Sequence, residues 1–159
     1  MQNRFLLGAI IGLIAGIVLA FAYAYNAAPG LMIVEDESQY DYAETIDRIE
    51  TAAEAEGWAV PTKHDLSGTV GEHGYDVAPV TVLELCQPDH AGNLLSEEDN
   101  YLVTSMMPCR VSVYERADGT VIVSRMNTSL VAQVFGGSIA EIMAEATEDN
   151  ERILESVLQ

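Results

Sequence analysis

The sequence predicts an α+β protein: an antiparallel sheet with helices on one face, preceded by one N-terminal transmembrane helix. Three features of the chain lead to this prediction. An uncharged apolar run stands near the start, a segment with helical periodicity follows the first strand, and a second such segment closes the chain. Strands bracketed by amphipathic helices are typical of a sheet covered on one face, because each helix must bury its apolar side.

The apolar run, residues 5–25, contains neither a charged residue nor a proline. As a helix it would be about 32 Å long, which matches a hydrocarbon core of about 30 Å. Arg4 precedes it and acidic residues follow it, so the positive-inside rule predicts a cytoplasmic tail, residues 1–4, and a periplasmic or extracellular domain. The chain would cross an inner or plasma membrane once. A cleaved signal peptide is the alternative, since Ala22 and Ala24 form an A-x-A pattern.

Small residues recur at every fourth position of this run. Such a row makes one smooth helix face, which lets two transmembrane backbones approach closely. It predicts a packing face between two copies of the chain, and hence a homodimer, although glycine and alanine are common in membrane helices in any case. The row consists of Gly8, Gly12, Gly16, Ala20 and Ala24.

The domain is predicted to be residues 31–159, after a spacer of turn-forming residues at 26–30. Its first strand lies within 31–36. Apolar residues spaced on one face then predict a helix within 40–57. The strand that follows contains Pro61, which requires an edge position or a bulge because proline donates no ladder hydrogen bond.

A glycine-punctuated loop, a strand at 80–86 and a short helix come next. The clearest pattern in the chain is a β-hairpin between Cys109 and Asn127, in which valines alternate with polar residues on both sides of Asp118-Gly119. A short helix follows, capped by Asn127 or Thr128.

The last predicted helix begins at Ser138, which with Glu141 forms an S-x-x-E capping box. Its apolar face runs from Ile139 to Val157 at helical spacing. Together with the helix at 40–57, it is about enough to cover one face of the sheet.

Acidic residues outnumber basic ones by 25 to 7, and the formal net charge is −18. Because nucleic acids are polyanions, this charge argues against DNA or RNA as a partner. The simplest interpretation is solubility in a medium salty enough to screen the self-repulsion. Hydrophobic residues make up 49% of the chain, which excludes a disordered protein.

Several short segments after the apolar run are characteristic together: Cys86-x-Pro88, Met106-Met107-Pro108-Cys109-Arg110, Tyr114-Glu115, Asp118-Gly119, Met126-Asn127 and Phe135-Gly136-Gly137. With them this part of the chain resembles a known family, the domain of unknown function (DUF) 302, and most closely its membrane-anchored branch with two cysteines. The resemblance implies a TATA-binding-protein-like fold, one β-α-β4-α unit, which often forms a dimer. It implies no established activity, and it gives no role to His90.

The two cysteines, Cys86 and Cys109, admit three interpretations. A disulfide is the first, because a domain outside the cytoplasm lies in an oxidising compartment and an even cysteine count invites pairing. Cys86 ends one predicted strand and Cys109 begins another; if these strands are neighbours, their Cα atoms could lie within the roughly 4.4–6.8 Å that a bridge requires. A further interpretation is two buried thiols that pack as small hydrophobes.

The remaining interpretation is a thiol-redox or metal site. Thiolate, thioether and imidazole groups suit copper(I) or another soft metal. The candidate ligands are Cys86, Cys109, Met106, Met107 and His90. Their spacing is not a recognised zinc pattern, and both methionines could equally fill gaps in a core. Apart from such a metal, no cofactor is expected.

The sequence therefore predicts an anchored extracytoplasmic domain that binds or assembles and contains a Cys86–Cys109 disulfide. A thiol-redox or soft-metal-binding protein is the alternative. Catalysis is not favoured, because His64-Asp65 lacks a nucleophile motif and Gly136-Gly137 lacks the rest of a phosphate-binding loop.

Overall fold

A computed structural model describes the backbone of residues 2–159 and the side chains of Leu6 and residues 8–159. The chain divides into two compact units, one ending at Met32 and the other being Ile33–Gln159. Met1 and the side chains of the predicted cytoplasmic tail, including that of Arg4, lie outside the described part.

The first unit is a single helix, α1 (Gln2–Met32). Its segment Gly8–Met32 has a mean hydropathy of 2.1 and none of it is buried within the chain. The predicted N-terminal helix is therefore confirmed as one that is long and apolar enough to cross a membrane. A signal sequence would have the same properties.

Residues 26–30 do not form the predicted turn. Helix α1 continues through Pro29 to Met32, and the side-chain amide of Asn26 donates a hydrogen bond of 2.7 Å to the carbonyl of Ala22, one helical turn earlier. Ala27, Ala28 and Leu31 favour a helix while Pro29 and Gly30 oppose one, so the local signals at this place are mixed. The first strand consequently begins two residues later than predicted.

The second unit contains a five-stranded, fully antiparallel sheet with the strand order β1-β5-β4-β3-β2. Its strands are β1 (Ile33–Glu37), β2 (Ala59–Asp65), β3 (Val80–Cys86), β4 (Cys109–Glu115) and β5 (Val121–Met126). The helices are α2 (Tyr42–Ala55), α3 (Leu66–Gly71), α4 (Pro88–Leu95), a 3-10 helix (Glu98–Met106), α5 (Thr128–Ala132) and α6 (Gly137–Leu154). The predicted α+β class is confirmed.

Helices α2 and α6 bury their apolar sides against one face of the sheet. Ile49 of α2 and Leu154 of α6 are fully buried in one cluster with Leu83, Val111 and other strand residues. Asp41 caps α2 by accepting a hydrogen bond of 2.9 Å from the backbone N–H of Glu44. This cluster is the main core.

Pro61 lies where its chemistry requires. Strand β2 is an edge strand, and its pairing with β3 shifts register between Ala59 and Thr62. The predicted edge position with a bulge is therefore confirmed, because at this place the missing N–H costs no ladder hydrogen bond.

The start of α6 differs from the prediction. Gly136 precedes the helix without a side-chain cap, so the Ser138–Glu141 capping box is wrong. The Ser138 hydroxyl donates to Glu97 at 3.3 Å and accepts from the amide of the buried Asn100 at 3.3 Å. Contacts to the 3-10 helix have replaced the local cap.

A second, smaller core lies beside the first. Leu94 of α4, Val103 of the 3-10 helix, Ala132 of α5 and Met143 of α6 form it. The 3-10 helix and the short α3 were not predicted, since neither has helical periodicity long enough to be recognised.

Candidate functional site

A cavity of about 50 Å³ lies between the two cores, at the end of the sheet where β3 stops and β4 starts. Its wall includes both cysteines, both neighbouring methionines, Trp58 and His90. We call it the sulfur cavity, after Cys86, Met106, Met107 and Cys109. All five predicted soft-metal ligands therefore line one space, although the sequence alone left their proximity open.

The sheet register brings the two cysteines together. Leu85 and Cys109 are direct partners on β3 and β4, so Cys86 is one residue along from the residue opposite Cys109. From ordinary strand spacings the two Cα atoms are about 6 Å apart, inside the range that a disulfide needs. Neighbouring residues of a strand normally face opposite ways, but Cys86 ends its strand and both side chains reach the cavity wall. The structure shows both as free thiols.

Two prolines stand where the chain enters and leaves this end of the sheet. Pro88 occupies the first turn of α4, where its missing N–H is harmless, and the side chain of Gln87 accepts a hydrogen bond of 2.9 Å from the N–H of His90. Pro108 directly precedes β4 and follows a cis peptide bond. A proline therefore lies within two residues of each cysteine.

Burial controls the chemistry of Cys109. Loss of solvation, with a smaller contribution from nearby Cys86, raises the pKa of the Cys109 thiol to about 11. At neutral pH it is a thiol and not a thiolate. Arg110 does not lower this pKa; its guanidinium instead lies 3.5 Å from Glu84, the ion pair that so acidic a chain favours.

His90 lines the cavity, yet its ring nitrogens face carboxylates. Nε2 lies 2.8 Å from an Asp149 oxygen, and Nδ1 lies 4.0 Å from Glu145. Burial tends to raise the pKa of Asp149, but hydrogen bonds from His90 and Arg152 outweigh it, and the pKa is lowered. His90 is thus engaged by α6 and is a poorer metal ligand than the sequence suggested.

Trp58 is only 3% exposed and belongs to the main core. Its buried indole N–H, however, has no acceptor within hydrogen-bond distance among the described residues. An unpaired buried donor costs about 1–3 kcal/mol. The cavity that Trp58 lines is large enough for water, which needs about 10–15 Å³, or for another acceptor.

Across the described residues, no group of three or more histidine, cysteine, aspartate or glutamate side chains could hold a metal ion. A metal in the sulfur cavity would therefore depend on methionine thioethers in addition to the two cysteines. This favours a soft ion over zinc.

The small-residue row of α1 is sterically open. Apart from the adjacent backbone of α1 itself, a Cβ atom added at Gly8, Gly12 or Gly16 would meet no described atom within 4 Å, and Ala20 and Ala24 are exposed. Room for a close neighbour therefore exists, and packing between two copies stays a prediction.

The family model called "Domain of unknown function DUF302" matches residues 34–157, most of the chain. The chain belongs to the DUF302 family. The crystal structure of an uncharacterized conserved DUF302 protein from Bacillus stearothermophilus has a TM-score of 0.71 to this chain at 24% sequence identity. The match covers 79% of this chain and 98% of that one, and at this identity it shows the fold. No curated protein matches the chain.

For this DUF302 protein, membership of the membrane-anchored two-cysteine branch stays a prediction.

Two features of the site were missed by sequence reasoning: the contact of the Asp149 carboxylate with His90 and the unpaired N–H of Trp58. Asp149 and Glu145 lie one helical turn apart on α6, but nothing local to them indicates that His90 packs there.

Proposed function

We propose that this DUF302 protein is a membrane-anchored binding module that works outside the cytoplasm, with the sulfur cavity as its binding site. One observation carries the proposal: thiols, thioethers and an imidazole from separate segments line a single cavity. Folded proteins leave few voids larger than water in their interiors. A void lined by two half-buried thiols and by a tryptophan whose indole N–H is unpaired has the chemistry of a site.

In an oxidising compartment the two cysteines would form a disulfide. The reaction joins the two sulfur atoms and releases two protons and two electrons, which a disulfide-bonded oxidant accepts by thiol–disulfide exchange. The bridge would close a loop of about 22 intervening residues and stabilise the domain by about 3 kcal/mol in the chain-entropy model. The strand register that places Leu85 opposite Cys109 supports this pairing.

A thiol count tests the bridge. The full-length protein is extracted from membranes at low pH, which stops thiol–disulfide exchange, and its reactive thiols are then counted in denaturant with and without reductant. We expect two reactive thiols only after reduction, and Cys86→Ser or Cys109→Ser should each leave one thiol free throughout. Two free thiols before reduction would rule out the disulfide.

A soft-metal site is the second candidate, and the sulfur set favours it. The cavity holds about 50 Å³, far below the roughly 300–1,000 Å³ of pockets for drug-sized ligands, but enough for an ion. Copper(I) would take the sulfur atoms of Cys86 and Cys109, each giving up a proton, and a thioether of Met106 or Met107.

Metal binding is measured on the reduced, full-length protein with silver(I) as a redox-inert stand-in for copper(I). We expect one equivalent per chain and its loss in Cys86→Ser. Replacing Met106 and Met107 together by leucine should weaken binding. Met126→Leu, a methionine outside the sulfur cavity, is the matched control. Equal silver binding by wild type and Cys86→Ser would contradict the site.

A further inference from the structure

We infer that the end of the domain where β1 begins rests on lipid headgroups through an exposed apolar surface. We call this surface the lipid-facing patch; it consists of Met126, Leu130, Val134 and Phe135. The inference rests on the proposed membrane anchorage and goes beyond it, because an anchored domain need not touch the bilayer.

The sheet register places the patch. Ile33, the first residue of β1, is the direct partner of Met126, the last residue of β5. Helix α5 and the turn after it follow Met126 at once. The same end of the sheet contains the last residue of β3 and the first residue of β4, which are Cys86 and Cys109.

Chain connectivity limits how far this end can lie from the membrane. Helix α1 ends at Met32 and β1 begins at the next residue, without an intervening loop. Residues 26–32 extend beyond the predicted span and add about 10 Å as a helix. The headgroup layer on each side of the hydrocarbon core is about 5–8 Å thick. Ile33, and Met126 beside it, are thus held near the headgroups.

The patch is apolar and exposed. Val134 is 84% exposed, while Met126 and Phe135 are 41% and Leu130 is 39% exposed. Isolated exposed apolar residues are ordinary, but four of them within residues 126–135 indicate an interaction surface. Aromatic and aliphatic side chains of this kind bury readily at the membrane interface.

Charge also distinguishes the patch. Residues 126–140 contain no charged side chain, in a protein with 25 acidic and 7 basic residues. No longer uncharged stretch exists after the first strand. Acidic surface is repelled by anionic lipids, so a surface that rests on a bilayer must lack such charges. The exposed Arg110 lies beside Met126 in an adjoining groove and has the favourable sign.

The consequence concerns the sulfur cavity. Met126 and Thr128 share that groove with Cys109 and Met106. A molecule that reaches the thiols from this side would therefore travel along the membrane surface.

Single-tryptophan reporters test the inference. Trp58, the only tryptophan, is replaced by phenylalanine. Each variant then receives one new tryptophan in the full-length protein: Val134→Trp, Tyr75→Trp or Phe21→Trp. The variants are placed in phosphatidylcholine–phosphatidylglycerol vesicles that contain brominated phosphatidylcholine. Tyr75 is the matched control, since it is 68% exposed and precedes β3, at the opposite end of the sheet. Phe21 reports on α1 alone.

We expect brominated lipid to quench Phe21→Trp and Val134→Trp and to leave Tyr75→Trp unquenched. If brominated lipid quenches Phe21→Trp but not Val134→Trp, the inference is overturned, while the proposed membrane anchorage is supported. If the emission of Val134→Trp is blue-shifted but not quenched, the inference is also overturned. In that case a protein surface, such as a second copy of the chain, covers the patch. If Phe21→Trp is unquenched, the anchorage fails too. If Trp58→Phe unfolds the domain, the same three tryptophans are introduced into the protein that retains Trp58. The quenching of each is then measured relative to that parent protein.

Discussion

At the scale of single residues, the environment of Cys109 decides what the thiol pair can do. It is half-buried at the start of β4, packs against the main core and borders the sulfur cavity. A thiol held neutral in this way is a weak nucleophile at physiological pH, because the thiolate is the reactive form. It can still be oxidised to a disulfide or lose its proton to a soft metal, which are the two proposed roles.

The pKa of Cys109 leads to a first prediction. Burial, with a smaller contribution from Cys86, raises it from 9.0 to about 11. In the reduced, metal-free Cys86→Ser variant the burial contribution remains, so the alkylation rate should increase about tenfold per pH unit to beyond pH 9. Mass spectrometry after iodoacetamide treatment measures the rate. In denaturant the same thiol should reach its plateau at a lower pH than in the folded protein. A plateau below pH 9 in the folded protein would contradict the burial of this thiol.

At the scale of elements, tertiary contacts and not local caps hold the helices around the cavity. Arg125 of β5 is one example: its buried guanidinium lies 2.7 Å from Asp36 on β1 and 2.5 Å from Glu151 on α6. It joins a strand edge to the last helix. Asp36 and Glu151 are each more than 40% exposed, so removing either carboxylate still leaves the buried guanidinium paired with the other.

Ser138 provides the second prediction. It links α6 to the 3-10 helix through Glu97 and the buried Asn100, so Ser138→Ala should destabilise the domain by about 1 kcal/mol. Glu141→Gln, which would weaken a capping box, should change stability by less than about 0.5 kcal/mol. Thermal unfolding of the full chain in detergent compares the two. An equal loss of stability in both variants would indicate that the capping box forms after all.

At the scale of the whole molecule, charge is the dominant feature. A net charge of −18 makes the acidic surface repel itself, and salt screens this repulsion over about 10 Å at 0.1 M and about 3 Å at 1 M. The compact state gains from screening more than the unfolded chain, because its charges are closer together.

Salt dependence is the third prediction. The thermal midpoint of the full chain in an uncharged detergent should rise between 0.05 and 1 M sodium chloride. Sodium chloride and potassium chloride should act alike, since the effect is screening. A midpoint that falls with either salt would mean that surface ion pairs outweigh the overall repulsion.

Local patterns determined most of the fold. Alternation of valines around Asp118-Gly119 specified the hairpin, and the apolar spacing at Ile46 and Ile49 specified α2, because both signals depend on neighbours within a few residues. Where local signals were weak or mixed, as in the 3-10 helix and at residues 26–30, the expectation failed. The apolar composition of α1 needed no tertiary information at all.

Tertiary structure alone decided that the five candidate ligands line one cavity, that His90 is held by Asp149, and that the capping serine serves a different helix. Each of these facts joins segments that are about 20 to 60 positions apart in the chain. Periodicity and turn chemistry act over a few residues, whereas packing between two cores depends on the final arrangement of every element. The sequence by itself therefore determined which groups were available, and the packing determined which of them meet.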